Sequence, residues 1–269
     1  MKRVSIIGKP KQAAVTKVTG ELLDWFRKKG LQATVDPSSD QTAQSDLVVV
    51  VGGDGTLLSA VRQIGDRPIP ILAINHGSLG FLTEVTLDEM YPALEQVLAG
   101  KFVTEQRMKM EVDVLREGTT VANYNAFNDA VINKGTLARI IELEARVNGQ
   151  LVSSFRSDGI IVSTPTGSTA YNLSAGGPII FPSMRAMAIT PICSHTLTNR
   201  PIVLPPEVTI EITLKSEQDE VQLTVDGQVG DRLNPEDCVR IRRSKTDVQL
   251  IAPSGKDYFD VLRGKLKWG

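Results

Sequence analysis

The chain has 269 residues, 41% of them hydrophobic, enough for two medium domains. A net charge of −1 supplies no basic field for nucleic acid, and no apolar run is long enough to span a membrane as a helix. Two cysteines far apart, Cys193 and Cys238, and two histidines, His76 and His195, suit reduced thiols in a cytoplasmic protein and exclude a His/Cys zinc cluster.

In chain order, Arg3 to Ile7 reads as a first strand, with too short an apolar run for a signal peptide. Ala13 to Lys29 follows as an amphipathic helix with Val15, Val18, Leu22 and Phe26 on one stripe and Gly30 near its end. Ala33 to Val35 is a short strand, and Leu47 to Val51 has the unbroken aliphatic run of a parallel strand covered on both faces. A helical pattern from Leu57 to Ile64 and a strand from Pro70 to Asn75 come next. Thr86 and Glu89 form a capping-box signature before a helix carrying Met90, Leu94, Val97 and Leu98, ended by Gly100. Repeated strand–helix units predict a parallel α/β domain over residues 1–100.

From about residue 102 a period of two takes over: Met110, Val112, Val114; Val208, Ile210, Ile212, Leu214; Val221, Leu223, Val225. Turn signals at Glu117-Gly118 and Asn148-Gly149, and over Lys215 to Asp219, separate the segments, so residues 101–255 are expected to form an antiparallel all-β domain. Asp257 to Leu266 returns to helical spacing with Phe259, Leu262 and Leu266, and the segment 256–269 is expected to pack back on the first domain. The basic run Arg240 to Lys245 reads as a solvated edge strand.

Two stretches carry the chemistry. The first is Gly52-Gly53-Asp54-Gly55-Thr56, between the buried strand and the next helix. Glycines let backbone N–H groups approach a phosphate, and the helix start adds a dipole favourable to anions. Asp54 beside such a cradle is awkward unless it holds a metal or removes a proton, which points to phosphoryl transfer; the plainer reading is a turn residue holding local N–H groups. The second stretch runs from Arg156 to Gly177: a buried strand, Ile160 to Val162, enters a turn with hydroxyls at Ser163, Thr164, Thr166, Ser168 and Thr169. Capping a helix needs one hydroxyl and this turn has five, so the run suits recognition of a base and ribose, with Tyr171 available for stacking.

Those two stretches, with Asn128-Asp129, Pro191 to Leu197 followed by Arg200-Pro201, and Asp226-Gly227-Gln228, occur in the order seen in NAD kinases. The chain resembles a bacterial member over essentially its full length. The resemblance implies a Rossmann-like N-terminal α/β domain, a C-terminal β-sandwich domain with a site in the crevice between them, and phosphorylation of the adenosine ribose 2′-OH of NAD⁺ by ATP with Mg²⁺. It also implies a homodimer or homotetramer.

The resemblance makes Asp54 the general base, and Gly52, Gly53, Gly55 and Thr56 the phosphate cradle. It places Asp54, Gly55, Phe81, Asn128, Asp129, Arg139, Arg156, Asp158, Thr169, Ala170, Tyr171, Asn172, Leu173, Ser174 and Gln228 around NAD⁺, and assigns no protein ligand to the metal. Adjacent strand residues face opposite ways, so Asn128 and Asp129 reach one ligand only if the backbone bends there, and a bend is predicted. Arg156 is expected on the same strand face as Asp158, where the bland alternative is an Arg–Asp ion pair. His195 is read as structural or at a subunit contact. Two other functions share features of the chain. A lipid kinase carries a similar glycine loop but needs an apolar channel, whereas the run after Ser163 is polar; a non-catalytic nucleotide sensor does not need an acid at Asp54.

Overall fold

A six-stranded sheet whose central strand is buried on both faces organises the N-terminal part of the chain. The computed structural model describes residues 1–9, 12–77, 80–135, 139–196, 198–217, 220–252 and 257–268. They divide into two compact units, Met1–Gln106 with the segment from Val248 onward, and Arg107–Asp247.

The first unit begins β1 (Arg3–Gly8), α1 (Ala13–Lys28), β2 (Gln32–Val35), α2 (Ser39–Thr42), β3 (Leu47–Gly52), α3 (Asp54–Ile64), β4 (Pro70–Asn75), α4 (Met90–Leu98) and β5 (Thr104–Arg107). β1 pairs in parallel with β2 and β3, and β3 with β4, as the alternating pattern requires. All six residues of β3 are buried, matching its unbroken aliphatic run. α1 lays Val15, Thr19, Leu22 and Phe26 on the core, with Val18 at the margin of the stripe. Gly30, at φ +77, lets the chain turn into β2.

The expected box at Thr86 and Glu89 forms by half. The Glu89 carboxylate accepts from both the N–H and the hydroxyl of Thr86, while Glu89 N–H goes to the Thr86 carbonyl instead of its hydroxyl. A complete capping box joins Ser38 and Gln41 at the start of α2.

The second unit holds β6 (Met110–Arg116), β7 (Thr119–Ala126), β8 (Asp129–Lys134), β9 (Ile141–Val147), β10 (Gln150–Ser157), β11 (Gly159–Ser163), a 3₁₀ turn (Gly167–Thr169), α5 (Tyr171–Ser174), β12 (Met187–Ile192), β13 (Ile202–Leu204), β14 (Ile210–Leu214), β15 (Val221–Val225), β16 (Val229–Leu233) and β17 (Cys238–Arg243). Two six-stranded sheets result, in the orders β10-β9-β14-β17-β6-β7 and β13-β12-β11-β8-β15-β16. The period-two residues of both sheets, including Val112, Leu143, Ile212, Ile132, Val162 and Leu223, fill one shared core, which makes this unit a sandwich. The turns at Glu117-Gly118, Asn148-Gly149 and Asp226-Gly227 all carry positive φ at both positions, the hairpin geometry that fits the strand twist.

The chain ends with β18 (Val248–Ile251) and α6 (Tyr258–Leu266). β18 pairs in parallel with β4 through Gln249 and Leu250, so it extends the first sheet, and the dividing lines fall at 106/107 and 247/248, not at 100 and 255. α6 belongs to the same unit as β18, but it buries Val261 and Leu262 and leaves Phe259 53% exposed, so the stripe expected from Phe259 is rotated. Asp257 caps it, accepting from Phe259 and Asp260 N–H.

The basic run on β17 is corrected as well. β17 lies between β14 and β6, not at an edge, and its arginines meet acids on the neighbouring strands: Arg240 with Glu211, and Arg242 with Asp113 and Glu111. Opposite charges side by side on adjacent strands explain how a basic strand sits inside a sheet. Both cysteines are free thiols, and burial raises the pKa of the Cys238 thiol above its ordinary value. Among the described residues, no helix is long and apolar enough to cross a membrane.

The core assignment is checked by denaturant unfolding. Leu143→Ala, inside the sandwich, should cost about 2–5 kcal/mol, while Leu151→Ala, on an exposed position of β10, should stay within about 0.5 kcal/mol.

Candidate active site

In the first unit, β3 ends at Gly52 and α3 starts at Asp54, so the carboxylate sits in the first turn of a helix, where the dipole favours negative charge. A Cβ on Gly52 would lie 2.4 Å from Thr56 Oγ1, so glycine is required for the strand to meet the helix this closely. Thr56 is buried, Asp54 and Gly53 are half-buried, and Gly55 is exposed.

Asp54 does not fold back on its own turn. Its Oδ2 accepts from Phe81 N at 2.9 Å, and its Oδ1 accepts from Leu82 N, Thr83 N and Thr83 Oγ1, each at 3.2 Å. The plain turn reading is thereby replaced: the partners are 27 to 29 residues away in sequence. Gly80 makes this possible, since a Cβ there would stand 2.1 Å from Asp54 Oδ1 and 2.4 Å from Thr83 Oγ1. Buried Asn75, at the end of β4, donates from Nδ2 to Thr83 Oγ1 at 2.8 Å. The Phe81 ring is half-buried, with the Lys265 ammonium 5.8 Å from its centroid.

In the second unit the predicted bend is present. β7 ends at Ala126, β8 begins at Asp129, and Phe127 and Asn128 turn between them. The Asp226 carboxylate holds this bend. It accepts from Phe127 N at 3.0 Å, Asn128 N at 2.7 Å and Asp129 N at 3.1 Å, a run of successive amides converging on one anion. Asp129 is only 4% exposed; burial, and then the nearby Asp226 charge, push its pKa up to about 7. Asn128 Oδ1 is buried without a hydrogen-bond partner among the described residues.

The hydroxyl-rich turn turns out to be a brace. Thr164 Oγ1 donates to the Phe127 carbonyl and accepts from Gly167 N; Ser168 Oγ bonds Pro165 and Ile180; Ser163 and Thr169 donate to backbone carbonyls. Four of the five hydroxyls are therefore spent inside the protein, and of the five Thr166 Oγ1 is the one buried without a partner among the described residues. The Asn172 side chain, expected at the ligand, is fully buried: its Nδ2 donates to Ser168 and Pro178 carbonyls and its Oδ1 accepts from Thr190. These bonds use both amide hydrogens, so this side chain is a framework group. Tyr171 is 42% exposed and Ser174 exposed; Ala170 and Leu173 are half-buried.

Asp158 lies where the chain leaves β10 for β11, that is, where it passes from one sheet to the other. The strand expected to carry Arg156 and Asp158 on one face is broken there, and the cation that pairs with Asp158 is Lys134, at 2.9 Å. Arg156 is exposed, and its carbonyl accepts from His195 N. Arg139 is exposed, and Gln228 is exposed on the hairpin turn between β15 and β16. No cluster of three His, Cys, Asp or Glu suited to a metal occurs among the described residues.

Two family models match the chain: the ATP-NAD kinase N-terminal domain over residues 38–102 and the ATP-NAD kinase C-terminal domain over 127–252. The chain belongs to the ATP-NAD kinase family. With both domains matched it is an enzyme of the NAD kinase type. It is 49% identical to the NAD kinase of Geotalea daltonii, covering 100% of this chain and 99% of that one, and 47% identical to that of Geobacter sulfurreducens with the same coverage. Among solved structures, an NAD kinase from Archaeoglobus fulgidus in complex with ATP superposes with a TM-score of 0.81 at 25% identity, covering 98% of each chain. A yeast NADH kinase complexed with NADH gives 0.92 at 24% identity, covering 100% of this chain and 88% of its own, and shares the fold.

Four residues with evident roles at these loops carried no role in the sequence reading. Asn75, Gly80 and Thr83 sit in an ordinary-looking turn and strand end, and Asp226 reads as half of a hairpin signal. Thr83 and Asp226 meet partners far along the chain, and Asn75 meets Thr83 across an irregular loop, so no local signal marks them.

Two predictions follow the geometry. Gly80→Ala should displace the Asp54 carboxylate and lower turnover by about 10²-fold, read in a steady-state assay with far-ultraviolet circular dichroism unchanged. Asp129, with a folded pKa of about 7 against an ordinary 3.8, holds its proton longer when folded. Its contribution is therefore lost as pH rises from about 4 to about 7. Asp129→Asn should flatten that part of the stability profile, measured by denaturant unfolding at several pH values.

Proposed function

We propose that the chain transfers the γ-phosphoryl group of ATP to the 2′-hydroxyl of the adenosine ribose of NAD⁺, giving NADP⁺ and ADP, with Asp54 as the general base. The observation that carries this reading is the Asp54 carboxylate fixed at the start of α3, beside a glycine-bordered strand end. An alcohol is a poor nucleophile at neutral pH, and a carboxylate placed to take its proton contributes on the order of 10²–10⁴ in rate. The bond from ribose oxygen to the γ-phosphorus forms as the bond from that phosphorus to ADP breaks, and the hydroxyl proton passes to Asp54. Most of the remaining acceleration belongs to positioning and to neutralising phosphate charge.

Gly52, Gly53, Gly55 and Thr56 are assigned to the phosphates, the glycines leaving backbone N–H groups accessible. Asn128, whose Oδ1 has no partner among the described residues, is the best-supported dinucleotide contact, with Asp129 beside it and Tyr171 as a stacking surface. Phe81, Arg156, Asp158, Thr169, Ala170, Leu173, Ser174 and Gln228 are kept as contacts on the strength of the family pattern alone, and Arg139, at a position that varies among relatives, is kept beside them. The Asn172 side chain is assigned to the framework, because it is fully buried and both its amide hydrogens bond backbone carbonyls. The archaeal relative solved in complex with ATP supports ATP as donor.

Mg²⁺ would neutralise triphosphate charge. The described residues offer it no carboxylate cluster. The cation is therefore assigned to the phosphate oxygens and water, with no protein ligand named. A cytoplasmic homodimer or homotetramer is the assembly this reading takes.

The test is formation of NADP⁺ by the purified protein with NAD⁺, ATP and Mg²⁺. Asp54→Asn should cut turnover by about 10²–10⁴-fold while calorimetric NAD⁺ binding persists. Loss of binding in step with turnover would make Asp54 a binding or structural residue instead.

A further inference from the structure

Beyond the base itself, a buried pair of side chains stands behind it. Among the described residues, the Thr83 hydroxyl contacts two polar groups, Asp54 Oδ1 at 3.2 Å and Asn75 Nδ2 at 2.8 Å. An amide nitrogen only donates, so the bond from Asn75 occupies a lone pair of the Thr83 oxygen. The single hydroxyl hydrogen is then directed at the carboxylate, the only remaining acceptor of the two. Thr83 is fully buried and Asn75 nearly so, and Gly80 closes the same spot so tightly that a methyl group would overlap both Asp54 and Thr83. The direction of the hydrogen-bond chain is therefore fixed by the donor and acceptor chemistry of these groups.

We propose that Asn75 and Thr83 are positioning residues for the phosphoryl transfer, acting as a directed hydrogen-bond chain that saturates Asp54 Oδ1 and leaves Oδ2 as the oxygen that takes the ribose proton. Oδ1 accepts three donors, Leu82 N, Thr83 N and Thr83 Oγ1, against two lone pairs. Among the described residues Oδ2 accepts one donor, Phe81 N, and so keeps a lone pair. Without the hydroxyl, the carboxylate can rotate about its Cβ–Cγ bond and share the amide donors differently between its oxygens. A near-attack geometry tolerates little of this, since an error near 1 Å costs up to about 10²-fold. The inference rests on Asp54 being the base.

The experiment compares Thr83→Val, which keeps shape and removes the hydroxyl, with Thr83→Ser, which keeps the hydroxyl. Thr83→Val should lower kcat on the order of 10- to 100-fold, with KM for NAD⁺ and ATP little changed, because the group acts on the reacting geometry and not on substrate contacts. Thr83→Ser should recover most of that loss. In an Asp54→Asn background, Thr83→Val should add little further loss, since its effect runs through the carboxylate. If Thr83→Val fails to fold, Thr83→Cys, with similar volume and a weaker donor, takes its place. Unchanged kcat in Thr83→Val, equal losses in Val and Ser, or an undiminished loss in the Asp54→Asn background would overturn the positioning role. Asp54→Asn retaining full turnover would instead overturn the base assignment, so the two failures are told apart.

Discussion

The interaction on which both units rely is a carboxylate received by a run of consecutive backbone amides. Asp54 takes the N–H groups of Phe81, Leu82 and Thr83; Asp226 takes those of Phe127, Asn128 and Asp129. Such amides have no helix or sheet partner, and leaving them unmet in a protected loop would cost about 1–3 kcal/mol each. One anion satisfies three at once and at the same time fixes the path of an irregular segment. In each case the segment held is the one that carries, or lies beside, a residue with a proposed part in the chemistry. The carboxylate at the first loop is itself the proposed base, so the same group shapes the loop and takes the proton. At the second loop the two tasks are divided: Asp226 shapes the backbone, and Asn128 keeps an oxygen with no partner among the described residues.

Polar groups in this protein are spent on framework more freely than their number suggests. The hydroxyls from Ser163 to Thr169 look like a recognition surface because one cap needs only one of them, yet four tie the turn to its own backbone and to Phe127, Asn128, Pro165 and Ile180. The turn needs them because it is buried: Ser163, Thr164, Thr166 and Ser168 have almost no exposure, and the carbonyls around them have no water to meet. Asn172 serves the same end from α5, reaching Thr190 on β12. Among the described residues, the polar side-chain atoms that this loop and turn leave buried and unpartnered are the Asn128 oxygen and the Thr166 hydroxyl, while the ring of Tyr171 stays exposed.

Much of the architecture was readable along the chain because its causes are local. The unbroken run of β3, the two-residue period of β6, β14 and β15, and the Glu117-Gly118 and Asn148-Gly149 hairpins follow from neighbouring side chains and backbone preferences. The bend at Phe127 and Asn128 was readable too, since two adjacent strand residues cannot otherwise serve one ligand. The readings that changed involve a partner distant in sequence. β18 joins the first sheet through pairing with β4; β17 is interior, not an edge; Asp158 finds Lys134, not Arg156.

The kind of chain this is can be read from residue order alone: a glycine-bordered acid after a buried parallel strand, a second part built of alternating strands, and motifs in the order of one kinase family. Those features are short-range patterns, and periodicity and turn chemistry write them directly into neighbouring residues. Only the tertiary structure decided which polar groups are spent and which are left. Asp54 turning to residues 81–83, Asn75 reaching Thr83, Asp226 reaching residues 127–129 and Asn172 vanishing into the core are all contacts made across the fold. A hydrogen bond depends on distance and direction to within a fraction of an ångström, and one sequence spacing is compatible with many such geometries until packing selects one.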